Sequence, residues 1–172
     1  MEFPVINNEM TKLFSSYIPN HPTAIARVQG GENNSFLKGE VLFYQLDNGV
    51  YIKAYIINLP SVNSKGEYTR FHGFHIHEFG DCDIGTPQDP FSSTGGHFNP
   101  NNNKHPFHAG DLPPILSANG IGILSVFTNS FRVIDILERS IVIHDGSDDF
   151  TSQPSGMSGT KIACGTILPY HY

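Results

Sequence analysis

Apolar and polar residues alternate partially along most of this chain, in runs rich in β-branched and aromatic side chains. Seven runs carry the pattern: Ala24 to Val28, Gly39 to Leu46, Val50 to Leu59, His72 to Phe79, Gly120 to Phe127, Arg139 to His144 and Lys161 to Leu168. None holds a helical period over three turns, so no long helix is predicted. Turn residues fall between the runs at Gly30-Gly31, Asp47-Asn48-Gly49, Asn119-Gly120 and Asp145-Gly146, and Asn48-Gly49 joining two runs is a hairpin signal. The pattern predicts an all-β domain of about eight short antiparallel strands, a β-sandwich or Greek-key barrel.

Residues 80 to 118 and 145 to 160 break that spacing. Both are rich in Gly, Pro, Asn, Asp and Ser, and loops this long in one domain are functional or disordered. The first holds six prolines, which would suit a linker, but also His97, His105, His108 and Asp111. Residues 1–22 read as a polar N-terminal extension preceding a domain at 23–172, and no internal repeat is present.

Composition narrows the partners. The 172 residues carry 10 Lys and Arg against 16 Asp and Glu, a formal charge of −6, with 13 Phe and 7 Tyr to build a core. That is one domain, without the basic cluster that nucleic acid or an anionic membrane surface requires. No stretch reaches the roughly 18 apolar residues of a membrane span. Glu2, Asn7, Asn8, Glu9 and Lys12 interrupt any secretory h-region, so the expected location is cytoplasmic, with packaging into a particle or a non-classical export route left open. Two cysteines, Cys82 and Cys164, are either buried thiols or one long-range bridge; their number alone favours thiols.

The nine histidines carry the chemistry. His75 and His77 sit two apart in a strand-like run, so both imidazoles share one face while Phe74 and Ile76 take the other. His144 ends a second apolar run, and His97 follows Gly95-Gly96. Four neutral imidazoles from two strands and a loop suit copper, whose Cu(II) state favours nitrogen ligands near one plane. His97, His105, His108 and Asp111 form a second set within one loop, and three histidines with a carboxylate suit a closed, structural zinc site. His72, His21 and His171 read as structural or solvated, and Asp81, Asp145 and Asp149 as turn formers.

Five spaced motifs, GFHIH at 73–77, GGHFNP at 95–100, HAGDL at 108–112, the strand-end His144 and ACG at 163–165, resemble the copper/zinc superoxide dismutases over about residues 23 to 168, in a shorter-looped, microbial-type form. The resemblance implies copper on His75, His77, His97 and His144, and zinc on His97, His105, His108 and Asp111, with His97 shared by both metals. It implies that Asp148 fixes the tautomers of one copper and one zinc histidine. It also implies a Cys82–Cys164 disulfide, against the preference drawn from number alone. The implied activity is dismutation of superoxide to dioxygen and hydrogen peroxide at a redox-cycling copper, in a homodimer. The family's active-site arginine is Lys161 here, which keeps the charge but not the planar fork of donors. The interval between His105 and His108 and the loop from His144 to Cys164 are short. Two other classes remain beside the enzyme: a metal-storage protein using the same ligands, and an interaction module indifferent to His97.

Overall fold

The computed structural model describes residues 18–171, so most of the expected N-terminal extension lies outside the described residues. Within them the strands are β1 (Ala24–Gly30), β2 (Lys38–Leu46), β3 (Gly49–Ile57), β4 (Phe71–His72), β5 (Phe74–His77), β6 (Gly85–Thr86), β7 (Asp89–Pro90), β8 (Ile115–Ala118), β9 (Ile121–Thr128), β10 (Ser140–His144) and β11 (Lys161–Pro169). One four-residue helix, α1 (Val133–Ile136), precedes β10. Nine strands form one antiparallel sheet in the order β4-β8-β9-β3-β2-β1-β11-β10-β5, and β6 with β7 forms a separate ribbon. The expected hairpin joins β2 to β3, with Leu46 opposite Gly49.

The two edges of the sheet are one piece of chain. Only Gly73 separates β4, which pairs with β8, from β5, which pairs with β10. Backbone continuity therefore closes the barrel. Gly73 donates its N–H to Gly146 O and accepts from His144 N at this crossing. A Cβ at Gly73 would approach the Ser158 side chain to 2.6 Å, so the tight crossing requires glycine.

The run expected from His72 to Phe79 is thus split at Gly73 and ends at His77. The loop expected over 80–118 stops short of its last four residues, which form β8 behind Pro113-Pro114 with Ile115 and Ser117 facing inward. A four-residue strand flanked by prolines is too short to show its period. The second loop spans 145–160, between β10 and β11, as expected.

Inward residues of β3 (Val50, Ile52, Ala54, Ile56) pack with Phe43, Phe74, Ile76, Ile115, Ile141, Ile143 and Ile167 in the barrel core. On β5 and β10, by contrast, every residue is buried. Their inner faces join the core, and their outer faces lie beneath the two long loops. Cys82 and Cys164 are bonded, with Cα atoms 5.6 Å apart, so the free-thiol preference is corrected. The bond ties the first loop to β11. Its ring of about 80 residues constrains the unfolded chain by roughly 4 kcal/mol in chain-entropy terms.

Candidate metal centre

Strand period sets the first two ligand candidates. Phe74 and Ile76 enter the core, which turns His75 and His77 outward under the first loop. The loop is fastened there by the backbone of Ile76: its N–H donates to Gly110 O at 2.9 Å and its carbonyl accepts from Phe98 N at 2.8 Å. Isolated β-bridges then place Asp111 opposite His75 and His97 opposite His77. A register shift at Ile143/His144 leaves His144 opposite Lys161. Such a bulge re-aims a side chain at the end of a ladder.

All the ligand candidates converge. His75, His77, His97 and His144 form one group, and His97, His105, His108 and Asp111 a second; within each, the candidate donor atoms lie within 4.8 Å of one another. Each histidine of the first group has one ring nitrogen tied down, that of His97 by the Asp111 carboxylate of the second group. His75 Nε2–H donates to Asp148 Oδ2 at 2.8 Å, His77 Nδ1–H to Gly95 O at 3.0 Å and His144 Nδ1–H to Gly159 O at 3.2 Å. The opposite nitrogens face one another, His77 Nε2 lying 3.4 Å from His144 Nε2. In the second group His105 Nε2–H donates to Asp148 Oδ1 at 2.9 Å. His97 Nδ1 lies 2.7 Å from Asp111 Oδ1, and His105 Nδ1 and His108 Nδ1 lie 3.1 and 3.4 Å from the same carboxylate.

This leaves buried nitrogens aimed inward. His75 Nδ1, His97 Nε2, His105 Nδ1 and His108 Nδ1 have no hydrogen-bond partner among the described residues. Buried polar atoms are normally satisfied, and a cluster of inward imidazole lone pairs is what a metal ion satisfies. Electrostatics agrees. Burial pushes His75 down to about 4, against the bond to Asp148, and pushes His77 and His144 well below the ordinary histidine value, with neighbouring imidazoles adding to the effect. These rings are neutral near pH 7 and keep their lone pairs. Burial works against ionisation of Asp148 and Asp111. Yet His75, the Phe150 amide and His105 hold Asp148 low, and His97 and the His108 amide hold Asp111 low. Both remain carboxylates.

Asp148 therefore spans the two groups, and Gly156 makes room for it. A Cβ there would collide with Asp148 Oδ1 and come within 2.7 Å of His105 Nε2, at a φ of +71° that already favours glycine. Lys161 begins β11 half-buried, with its ammonium turned to the Phe91–Gly95 turn. Burial lowers it below the ordinary lysine value, against the charge of Asp89.

The sequence reading missed several supports. The carbonyls of Gly95 and Gly159 orient His77 and His144, and a carbonyl leaves no trace in residue identity beyond the glycine that frees its backbone. Asp145 is not only a turn former: it is buried, and its carboxylate accepts from Ser64 N at 2.9 Å and Thr160 N at 2.7 Å, joining two loops. Asp81 and Asp149 do cap local turns. His72 is structural as expected, its Nδ1–H donating to His144 O at 3.0 Å.

Comparison with known proteins covers the same residues. A family model described as copper/zinc superoxide dismutase (SODC) matches residues 37–167. The chain is 34% identical over 170 residues to superoxide dismutase [Cu-Zn] 1 of Aquifex aeolicus, covering 90% of this chain and 93% of that protein. It is 32% identical over 143 residues to superoxide dismutase [Cu-Zn] of Brucella abortus, covering 75% of this chain and 78% of that protein. It is 39% identical over 113 residues to superoxide dismutase [Cu-Zn] of Deinococcus radiodurans, covering 56% and 62%. A match running from Leu37 to Ile167 takes in both histidine groups, the disulfide and most of the barrel, and by it the chain belongs to the copper/zinc superoxide dismutase family.

Proposed function

We propose that this chain dismutates superoxide to dioxygen and hydrogen peroxide, with copper held by His75, His77, His97 and His144 and zinc by His97, His105, His108 and Asp111. The observation that carries the reading is His97: its Nδ1 faces the Asp111 group while its buried Nε2 faces the other three histidines. One imidazole thus belongs to both donor sets. The nitrogens not engaged by protein acceptors are Nδ1 of His75 and Nε2 of His77 and His144, which leaves these to the copper set.

When bound, copper supplies a one-electron couple that superoxide can both reduce and oxidise, and zinc a fixed charge with no redox change. The residues supply the rest. Two superoxides and two protons become one dioxygen and one hydrogen peroxide, so the site must attract an anion and hold a proton for the reductive half. Lys161 provides local positive charge in a chain of net charge −6. His97 Nε2 is the ring atom at which a proton can be held between the halves, because its other nitrogen stays engaged with the Asp111 group. Asp148 keeps His75 and His105 in the tautomers that present Nδ1 inward.

The test is superoxide turnover and metal content measured on the same disulfide-intact sample, with and without added copper and zinc, beside His97→Ala. Copper-dependent turnover lost in the variant is expected. No turnover in fully copper-loaded protein would overturn the enzyme and leave metal storage on the same ligands. The same reading makes the protein a homodimer, which sedimentation velocity tests directly.

A further inference from the structure

An ammonium has three N–H donors, and each one on Lys161 has an acceptor: Thr94 Oγ1 at 2.9 Å, Gly95 O at 3.0 Å and Phe91 O at 3.3 Å. All three come from a single short turn around Ser92–Thr94. Thr94 is fully buried, and its hydroxyl proton is already given to Phe91 O at 2.8 Å. Its oxygen can therefore only accept, from the lysine at 2.9 Å and at the longer distance of 3.4 Å from His77 Nδ1–H. Gly95 O accepts from His77 Nδ1–H as well, so the cation and a ligand candidate share one carbonyl. Phe91 in turn packs against the Cys82–Cys164 disulfide and Val142, which fixes the floor of the cradle.

Lysine is a point charge on a flexible four-carbon stem, and nothing in its own geometry fixes the head. The two carbonyls of the turn would leave one N–H unmatched in a half-buried place; the Thr94 hydroxyl supplies the third acceptor. A saturated ammonium offers an incoming anion its charge but no free donor, unlike a guanidinium with five.

We propose that Thr94 is a positioning residue for the reaction, holding the Lys161 ammonium in the turn beside His77 so that it draws superoxide by charge rather than by hydrogen bonding. The proposal rests on the superoxide dismutase reading above. No motif marks Thr94, because Ser92-Ser93-Thr94-Gly95 reads as an ordinary turn.

The experiment uses the metal-loaded, disulfide-intact full chain with Thr94→Val, which keeps the shape and removes the hydroxyl, and Thr94→Ser, which keeps the hydroxyl. Acetylation of Lys161 by acetic anhydride, followed by peptide mass spectrometry with Lys53 as internal reference, reports the cradle without reference to activity. Loss of one charge-assisted bond should speed it at least about fivefold in Thr94→Val, while Thr94→Ser stays near wild type. The second-order rate constant for superoxide should fall by a similar factor in Thr94→Val, recover in Thr94→Ser, and show no further fall when Thr94→Val is added to Lys161→Met. Unchanged acetylation, or an equal loss of rate in the Lys161→Met background, overturns the proposal in favour of a purely structural threonine. If Thr94→Val does not fold, Thr94→Ala is read by the same criteria. An acetylation response in fully loaded protein that turns over no superoxide would overturn the enzymatic reading, and with it the part of Thr94 in the reaction, while the cradle itself stood.

Discussion

The two sides of the barrel solve different problems with the same strand geometry. On β3 and β9 one face is core and the other meets solvent: Ile52 and Ile56 are fully buried while Tyr55 and Ile123, opposite each other across the ladder, are exposed. On β5 and β10 both faces are buried, apolar side chains inside and His75, His77 and His144 outside under the loops. The first side needs only area removed from water. The second needs polar atoms satisfied away from water, which explains its density of carboxylates, glycines and backbone carbonyls around six imidazoles. Stability and chemistry are thus separable, and substitutions on either side should move different observables.

The largest effect should come from acid, and only through the histidine side. In the metal-free protein His75 has its folded value lowered to about 4 from 6.5, so between those values the unfolded chain binds the extra proton. Stability is then complete above about pH 6.5 and lost as pH falls toward 4, on the order of 3 kcal/mol for His75 alone. His77 and His144 shift the same way and add to the loss. Urea denaturation of metal-free protein from pH 7 to 4 checks this. A metal-loaded sample should resist to lower pH, since metal and proton compete for the same nitrogens. A flat profile without metal would mean that these rings are not desolvated.

Next in size is Phe43→Ala, in the middle of β2 with no exposed surface. Deleting a buried aromatic ring costs about 3–5 kcal/mol. Equilibrium unfolding should show it in full, while the folded fraction keeps its metal affinity. A matching loss of metal affinity would show that the two sides are coupled through the core.

Asp148→Asn sharpens the opposite case. Its amide offers one acceptor oxygen where His75 and His105 each need one, so one buried ring loses its partner. Loss of such an orienting group lowers metal affinity about 10- to 100-fold, or about 1.4–2.7 kcal/mol. Competition with a chelator measures it, and both metals should weaken because the carboxylate touches one ring of each group.

The same division explains what the sequence made legible. His75 and His77 could be placed on one face because period two is local, and the loops at 80–118 and 145–160 stood out because Pro, Gly and Asn break that period. Closure through Gly73 could not be read, since it depends on β8 and β10, more than 40 residues downstream, arriving at opposite edges. β8 was hidden by its length and its prolines. Thr94, Asp145 and Gly156 act through contacts with distant loops, and each alone looks like a turn residue. Local pattern therefore identified which atoms could bind metal, while long-range packing determined how they are held.

The smallest effect should be Ile123→Thr. Ile123 is 64% exposed on β9 and sits opposite Tyr55, itself exposed among the described residues, so the substitution removes little buried apolar area. Threonine keeps the β-branch that suits a strand, and its hydroxyl faces water rather than the core. Surface changes of this kind stay within about 0.5 kcal/mol, and both stability and metal affinity should be unchanged. A loss well beyond that in the full-length protein would mean that something covers this face in solution. The contrast would then no longer be between a covered side and a bare one, but between two covered sides, of which only one needs its polar atoms satisfied.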